Sequence, residues 1–280
     1  MIKTSRQLKD LVHNLSGGNS LKAQIIIRSY VMERFLERVS LSKYNNQFIF
    51  KGGMMVSSIV GIDNRSTMDI DATLKNINLS TEDIETVLNN IIKIPIDDGI
   101  VFTIKSLTEI MDEAEYPGLR ASLEAKLENM KTPLKIDFST GDAITPKEIE
   151  YDYNLMFENR SIKILAYNIE TILAEKMETV LSRSTANTRL RDFYDLRVLY
   201  DTVDIDYKKL KSALFATSKK RNTFNVFDSV NEILLQIEKD NGLQELWDNY
   251  QRKYDYAREY SWNDVIYAIK ILFSKIDLFN

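Results

Sequence analysis

The segment Arg65-Ser-Thr-Met-Asp-Ile-Asp-Ala alternates polar and apolar residues. Such alternation predicts a strand with Arg65, Thr67, Asp69 and Asp71 on one face and Met68, Ile70 and Ala72 on the other. Two carboxylates about 6 to 7 Å apart along one face of a strand can grip one or two Mg²⁺ ions, which take oxygen ligands and keep water and substrate phosphate. Ions so placed would activate an attacking hydroxyl and stabilise a leaving pyrophosphate. Asp137, in Lys-Ile-Asp-Phe, is the candidate third carboxylate from a neighbouring strand. Taken alone, the pair is a weak signal, since surface strands often carry such carboxylates. Its upstream context narrows the choice. A strand, a Gly52-Gly53 turn and a helix N-terminus would present backbone N–H groups to triphosphate oxygens, and Ser57 and Ser58 would add hydroxyl donors.

Farther along, Ile169, Ile172, Leu173, Met177, Val180 and Leu181 form a helical apolar stripe, and Lys176 falls inside it. Lys176 could snorkel along the surface or reach into a cleft and contact nucleotide phosphates. In the second case, loss of its buried charge would leave stability unchanged or higher. Asp192 and Asp195, three apart in Arg-Asp-Phe-Tyr-Asp-Leu, share a helix face with Arg189, Arg191 and Arg197 nearby. They read as an ion-paired structural face or as catalytic and nucleotide-orienting carboxylates. The absence of cysteine excludes disulfides and thiolate zinc sites, and fits a reducing compartment. A single histidine, His13, reads as a surface helix residue, so acid-base chemistry falls to carboxylates, lysines or tyrosines.

These residues need elements to position them. The first 45 residues read as helix broken at Gly17-Gly18, followed by a strand at Phe48-Ile49-Phe50 and a helix from Met54 to Val60. Ser80, with Asp83 three residues on, predicts a capped helix running to about Ile92. Strands are predicted near Ile100–Lys105, Leu119–Leu127, Leu134–Phe138 and Ile162–Leu165, with a linking stretch before the last. From Asn168 onward the pattern is helical, with Gly242 the sole glycine and no proline. The chain therefore reads as α+β with a mixed sheet over residues 1–166, including N-terminal helices, followed by a helical domain over 167–280. No apolar run of about 18 residues predicts a membrane span, and the N-terminus has no apolar leader, so the expected location is the cytoplasm.

The net charge of −4 conceals segregated basic segments. Lys208, Lys209, Lys211, Lys219, Lys220 and Arg221 follow one another between residues 207 and 221 with no acid among them. The first 51 residues are also basic, with Lys3, Arg6, Lys9, Lys22, Arg28, Arg34, Arg38, Lys43 and Lys51 against Asp10, Glu33 and Glu37. Each segment could bind a polyanion or simply be a solvated helix face.

Lys51-Gly-Gly, Arg65-x-Thr-x-Asp69-x-Asp71, the Asp137 strand, Glu170-Thr-Ile-Leu-Ala-Glu-Lys176 and Arg191-Asp-Phe-Tyr-Asp195-Leu, in that order, resemble the AbiEii toxin family. These are nucleotidyltransferase-fold toxins of AbiE abortive-infection, type IV toxin–antitoxin systems, and the resemblance covers roughly residues 48 to 200. It implies a polymerase-β-like nucleotidyltransferase core, a nucleoside triphosphate (NTP) substrate, Mg²⁺, and growth arrest countered by a separately encoded antitoxin that is not expected to bind the toxin directly. Relatives modify the acceptor end of tRNA, which implies an RNA acceptor. Carried over, Gly52, Gly53 and Ser57 fall on the phosphate-binding motif, where the wider superfamily has Gly-Ser. Asp69 and Asp71 fall on the metal motif, Lys176 on the family lysine, and Asp192 and Asp195 on the final acidic motif. The candidate set is then Asp69, Asp71, Lys176 and Asp192 for catalysis, and Gly52, Gly53, Ser57, Arg65, Lys176 and Asp195 for the nucleotide. Asp69, Asp71 and Asp137 are the candidate metal ligands. A small-molecule nucleotidyltransferase of the aminoglycoside-modifying type and a non-catalytic NTP- or RNA-binding protein are the alternatives.

Overall fold

The computed structural model describes residues 1–111 and 117–279. They form two compact units, one of residues 1–62, 66–141 and 149–166, the other of residues 63–65, 142–148 and 167–280. The chain therefore enters the second unit twice before settling there.

The first unit is built on a seven-stranded mixed sheet. Its strands are β1 (Phe48–Lys51), β2 (Asp69–Leu74), β3 (Ile100–Met111), β4 (Pro117–Leu127), β5 (Met130–Thr140), β6 (Ile149–Asn154) and β7 (Ser161–Ala166). They lie in the order β3-β4-β5-β2-β1-β7-β6. The β2–β5 and β1–β7 pairs are parallel and the others antiparallel. Helices α1 (Ser5–Ser16), α2 (Ser20–Leu41), α3 (Gly52–Val60) and α4 (Thr81–Ile92) complete the unit. Thr4 and Asn19 cap α1 and α2, with Gly17 in the left-handed conformation between them. Ser80 Oγ caps α4 by accepting from the Asp83 N–H at 3.1 Å.

Alternation assigns the two faces of the sheet. Ile70, Ala72, Leu119, Ala121, Leu123, Ile136 and Phe138 are buried on one side, where Phe35 of α2 meets Phe102 of β3 edge-on. The hydrophobic effect fixes this register, because a one-residue slip would turn the apolar set outward. Asp69, Asp71, Arg120, Lys135 and Asp137 occupy the other face. Pro133 is tolerated in β5 because β2 pairs only from Lys135 onward, leaving β5 bonded on one side there.

Two features depart from the sequence reading. β6 occupies part of the stretch read as a link. β2 begins at Asp69, so Arg65 and Thr67 do not share the carboxylate face. Arg65, Ser66 and Thr67 are consecutively buried, which a strand with one solvated face does not allow.

The second unit is helical, with α5 (Ile169–Arg183), α6 (Leu190–Thr202), α7 (Tyr207–Lys220), α8 (Val230–Lys239), α9 (Asn241–Lys253) and α10 (Trp262–Lys275). Asn168, Asp206, Asp240 and Ser261 supply side-chain N-caps for α5, α7, α9 and α10. α5 packs against α6 and α7, and α10 against α6 and α8. Most of α5 is buried, including Glu170, Lys176 and Glu178. Charges in such a place need partners, and finding them determines what the helix can do.

Candidate active site

In the first unit the site starts at Gly52. Its φ of 68° is one that side chains rarely adopt, and a Cβ built there would lie 2.2 Å from Asp71 Oδ2. A glycine is thus required twice over, for the turn and for the carboxylate packed on it. No side chain caps the N-terminus of α3. Gly53 and Ser57 are four apart on the helix and share a face. Ser58 is engaged internally, donating to the Met55 carbonyl at 2.8 Å.

Four neighbouring strands place charged residues in one transverse row. Arg120 pairs with Asp137, Asp137 with Asp71, and Asp71 with Lys51. One step along, Asp69 stands beside the exposed Lys135. Asp69 and Asp71 are half-buried between the fully buried Ile70 and Ala72. Arg120 forks onto Asp137, with Nε donating to Oδ1 at 2.7 Å and Nη2 to Oδ2 at 2.6 Å. This hydrogen bonding raises the Arg120 pKa against desolvation, and the charges of Asp137, Asp69 and Asp71 add to it.

These positions bear on the implied metal. Asp69 and Asp71 offer only oxygen, on one face, over a glycine that leaves room for Asp71. That donor set suits Mg²⁺, which commonly takes one or two carboxylates and completes its shell with water and phosphate. Among the described residues, no three acidic or histidine side chains gather so as to hold an ion. The three-carboxylate group anticipated from sequence is therefore not assembled. Asp137 lies beside Asp71 in register, but both its oxygens face the Arg120 fork.

In the second unit, four of the remaining candidates come together. Arg65 Nε donates to Asp195 Oδ1 at 2.6 Å and Nη2 to Oδ2 at 3.1 Å. Lys176 Nζ lies 2.6 Å from Asp195 Oδ2 and donates to Asp192 Oδ1 at 2.9 Å. All four are buried, Asp195 completely. Burial alone would raise the Asp195 pKa, but Arg65 and then Lys176 outweigh it and bring it down to about 2. Burial likewise opposes the charge on Lys176, and Asp192 followed by Asp195 reverses the balance, so its pKa is raised. Arg189 Nε lies 2.9 Å from Asp192 Oδ2, but off the hydrogen-bond axis. That buried oxygen has no hydrogen bond among the described residues.

The family model for the nucleotidyl transferase AbiEii toxin of type IV toxin–antitoxin systems matches residues 34–267. The chain belongs to the AbiEii family. It is accordingly a nucleotidyltransferase toxin of a type IV toxin–antitoxin system, and that membership implies a nucleotide substrate and a separate antitoxin. The fold is similar to that of MenT4, a nucleotidyltransferase toxin from Mycobacterium tuberculosis H37Rv. Identity is 12%, TM-score 0.59, with 97% of this chain and 99% of that one covered. It is also similar to a candidate nucleotidyltransferase from H. pylori, with 18% identity, TM-score 0.50, and 91% and 96% covered. No curated protein matches the chain.

Seen in this AbiEii chain, Lys176 neither snorkels nor stands alone on an apolar face. It is held by two acids. Arg65, expected on the carboxylate strand, is bound to Asp195 instead. Sequence reasoning missed Arg120. Its signal was the alternation of Leu119–Leu127, which puts Arg120 on the polar face, but its pairing with Asp137 requires the β4–β5 register. The two basic segments are also partly spent. Arg221 pairs with Glu175 and Glu178, Lys209 with Asp206 and Lys211 with Asp277. Near the N-terminus, Arg34 is buried against Glu37 and Glu158, and Arg38 against Asp98.

Proposed function

We propose that this toxin transfers a nucleoside monophosphate from an NTP, with Mg²⁺, to an RNA acceptor, the acceptor end of tRNA. The observation that carries this reading is the pair Asp69 and Asp71, set on one face of β2 with Gly52 packed on Asp71. A divalent ion bound there would supply positive charge to the reacting phosphate and lower the pKa of an attacking hydroxyl. The chain's own part is to hold the two carboxylates in line and offer the N-terminal N–H groups of α3 to phosphate oxygens. Ser57, on the Gly53 face, supports the same contact. In the second unit, Lys176 and Asp192 are proposed to act on the nucleotide, with Asp195 and Arg65 fixing their positions.

A polyanionic acceptor needs cations. Near α7, Lys209, Lys211 and Arg221 have acidic partners. On the carboxylate face Lys105 and Lys131 meet Glu124, but we place acceptor binding there, on the exposed Lys105, Lys126, Lys131 and Lys135, because Lys135 stands beside Asp69. We further propose that the protein acts in the cytoplasm as part of an abortive response to phage, with an antitoxin that does not bind it. Among the described residues, no helix is long and apolar enough to cross a membrane.

The test is incubation of purified protein with each α-labelled NTP, total RNA and Mg²⁺, followed by gel analysis. Label should enter RNA of tRNA size, and chelation should stop it. Asp69→Ala should lose several kcal/mol of charge stabilisation, on the order of a thousand-fold in rate, while remaining folded. Label in an aminoglycoside rather than in RNA would replace this acceptor with a small molecule. Full transfer by a folded Asp69→Ala protein would remove the carboxylates from the chemistry.

A further inference from the structure

On the polar face of the sheet, three aspartates, Asp69 and Asp71 of β2 and Asp137 of β5, stand in neighbouring register. The third, Asp137, is gripped by Arg120 through both oxygens, at 2.7 and 2.6 Å. The grip is built into the sheet, because Arg120 and Asp137 are direct cross-strand partners. Cross-strand partners have Cβ atoms about 5 Å apart, and guanidinium matches carboxylate as a planar fork. Arginine keeps its charge at any working pH. An ion approaching Asp137 would therefore have to open a bidentate pair and sit beside a permanent positive charge. Asp69 and Asp71 act on the same guanidinium, so Arg120 belongs to the electrostatics of the whole row. The Arg120 side chain is 40% exposed and that of Asp137 22%, leaving the fork within reach of solvent and substrate.

We propose that the site uses a single divalent cation, held by Asp69 and Asp71, and that Arg120 clamped on Asp137 stands in for a second. This rests on the transferase reading of Asp69 and Asp71. Arg120 thereby serves as a positioning residue. It fixes Asp137, neutralises it without a metal, and presents the outer edge of the guanidinium to the polar face. Lysine would not substitute, since an ammonium is a point charge without the fork.

Electron paramagnetic resonance with Mn²⁺ tests this without turnover. The full chain is titrated with Mn²⁺ in the presence of a non-hydrolysable α,β-methylene analogue of each NTP, and Mn²⁺ bound by the nucleotide alone is subtracted. Two-metal sites hold their ions about 3.5 to 4 Å apart, close enough for a spin-coupled spectrum. The wild type should bind one Mn²⁺ per chain with an uncoupled spectrum, and Asp137→Asn should do the same. Arg120→Ala should take up a second ion and show coupling, and its circular dichroism should match the wild type. A coupled pair in the wild type would overturn the proposal, as would an Arg120→Ala protein that still binds one ion. Either result leaves Asp69 and Asp71 as ligands. If instead Asp69→Asn binds Mn²⁺ as tightly as the wild type, the transferase reading of the carboxylates falls and this inference with it.

Discussion

Lys176 shows how one neighbouring contact changes the energetics of a residue. Read from sequence, it is a lone ammonium on an apolar stripe, and its removal should relieve a buried charge. With Asp192 and Asp195 in contact, removal takes a shared cation from two buried carboxylates, leaving Asp195 to Arg65 and Asp192 beside Arg189. Breaking a buried pair in this way costs about 3 to 5 kcal/mol, so Lys176→Ala should lower the denaturant-unfolding free energy by that order. An unchanged unfolding midpoint would mean that the ion pairs carry no net weight. The same cluster sets an acid limit. Asp195 falls from the ordinary carboxyl value of about 3.9 to about 2 in the fold. The unfolded chain therefore binds this proton first as pH drops. Stability from Asp195 is complete above about pH 5 and is lost as pH falls through about 4 toward 2. Lys176, whose pKa is raised, loses its contribution only in strong base. Urea midpoints measured from pH 6 to 3 should fall more steeply for the wild type than for Asp195→Asn. Parallel slopes would show that the carboxyl titrates normally.

At the scale of elements, the join between β1 and α3 is the most constrained point of the site. Gly52→Ala would place a side chain in the left-handed region, costing about 1 to 2 kcal/mol, and would push directly on Asp71. Thermal unfolding should shift by only several degrees, while Mn²⁺ binding with an NTP analogue should be lost. Binding at wild-type affinity would show that Asp71 can move aside without consequence. The elements themselves were largely legible in the sequence. Gly17-Gly18, the alternation of Leu119–Leu127 and the Ser80 cap each announce a local preference, and α1, α2, α4 and β4 follow them. Asp69 and Asp71 were legible because Met-Asp-Ile-Asp alternates. Arg65 was misplaced because alternation continues upstream, whereas the backbone leaves the ladder at Met68 and the guanidinium is drawn to Asp195, 130 residues away. β6 was missed because most of its length, Glu-Tyr-Asp-Tyr, offers little apolar contrast and it pairs on one side only, with β7. Arg120 and Lys176 depended on strand register and helix packing, which no local pattern encodes.

At the scale of the whole molecule, the question is where an acidic chain can hold a polyanion. Counting charges along the sequence points to residues 207–221, but folding returns Lys209, Lys211 and Arg221 to acidic partners. Surface pairs such as Lys209–Asp206 are weak and could reopen for a phosphate. Arg221, inserted between Glu175 and Glu178, is less free to do so. Among the sheet lysines, Lys105 and Lys131 likewise meet an acid, Glu124, but the group differs in position. Lys126 and Lys131 face each other across β4 and β5, and Lys135 stands beside Asp69. A phosphate backbone following them would run toward the carboxylates. Each phosphate contact releases counterions, so RNA affinity should fall with salt, and losing one contact should reduce the logarithmic slope by about 0.7 for a single strand. Lys131→Glu with Lys135→Glu should therefore weaken RNA binding, flatten the salt dependence and depress transfer. Lys208→Glu with Lys219→Glu should change each of these less. Filter binding of total tRNA between low and high salt measures both pairs. If the α7 pair carries the larger loss, the acceptor lies along the helical unit, and the lysines beside Asp69 serve only to balance the charge of the sheet.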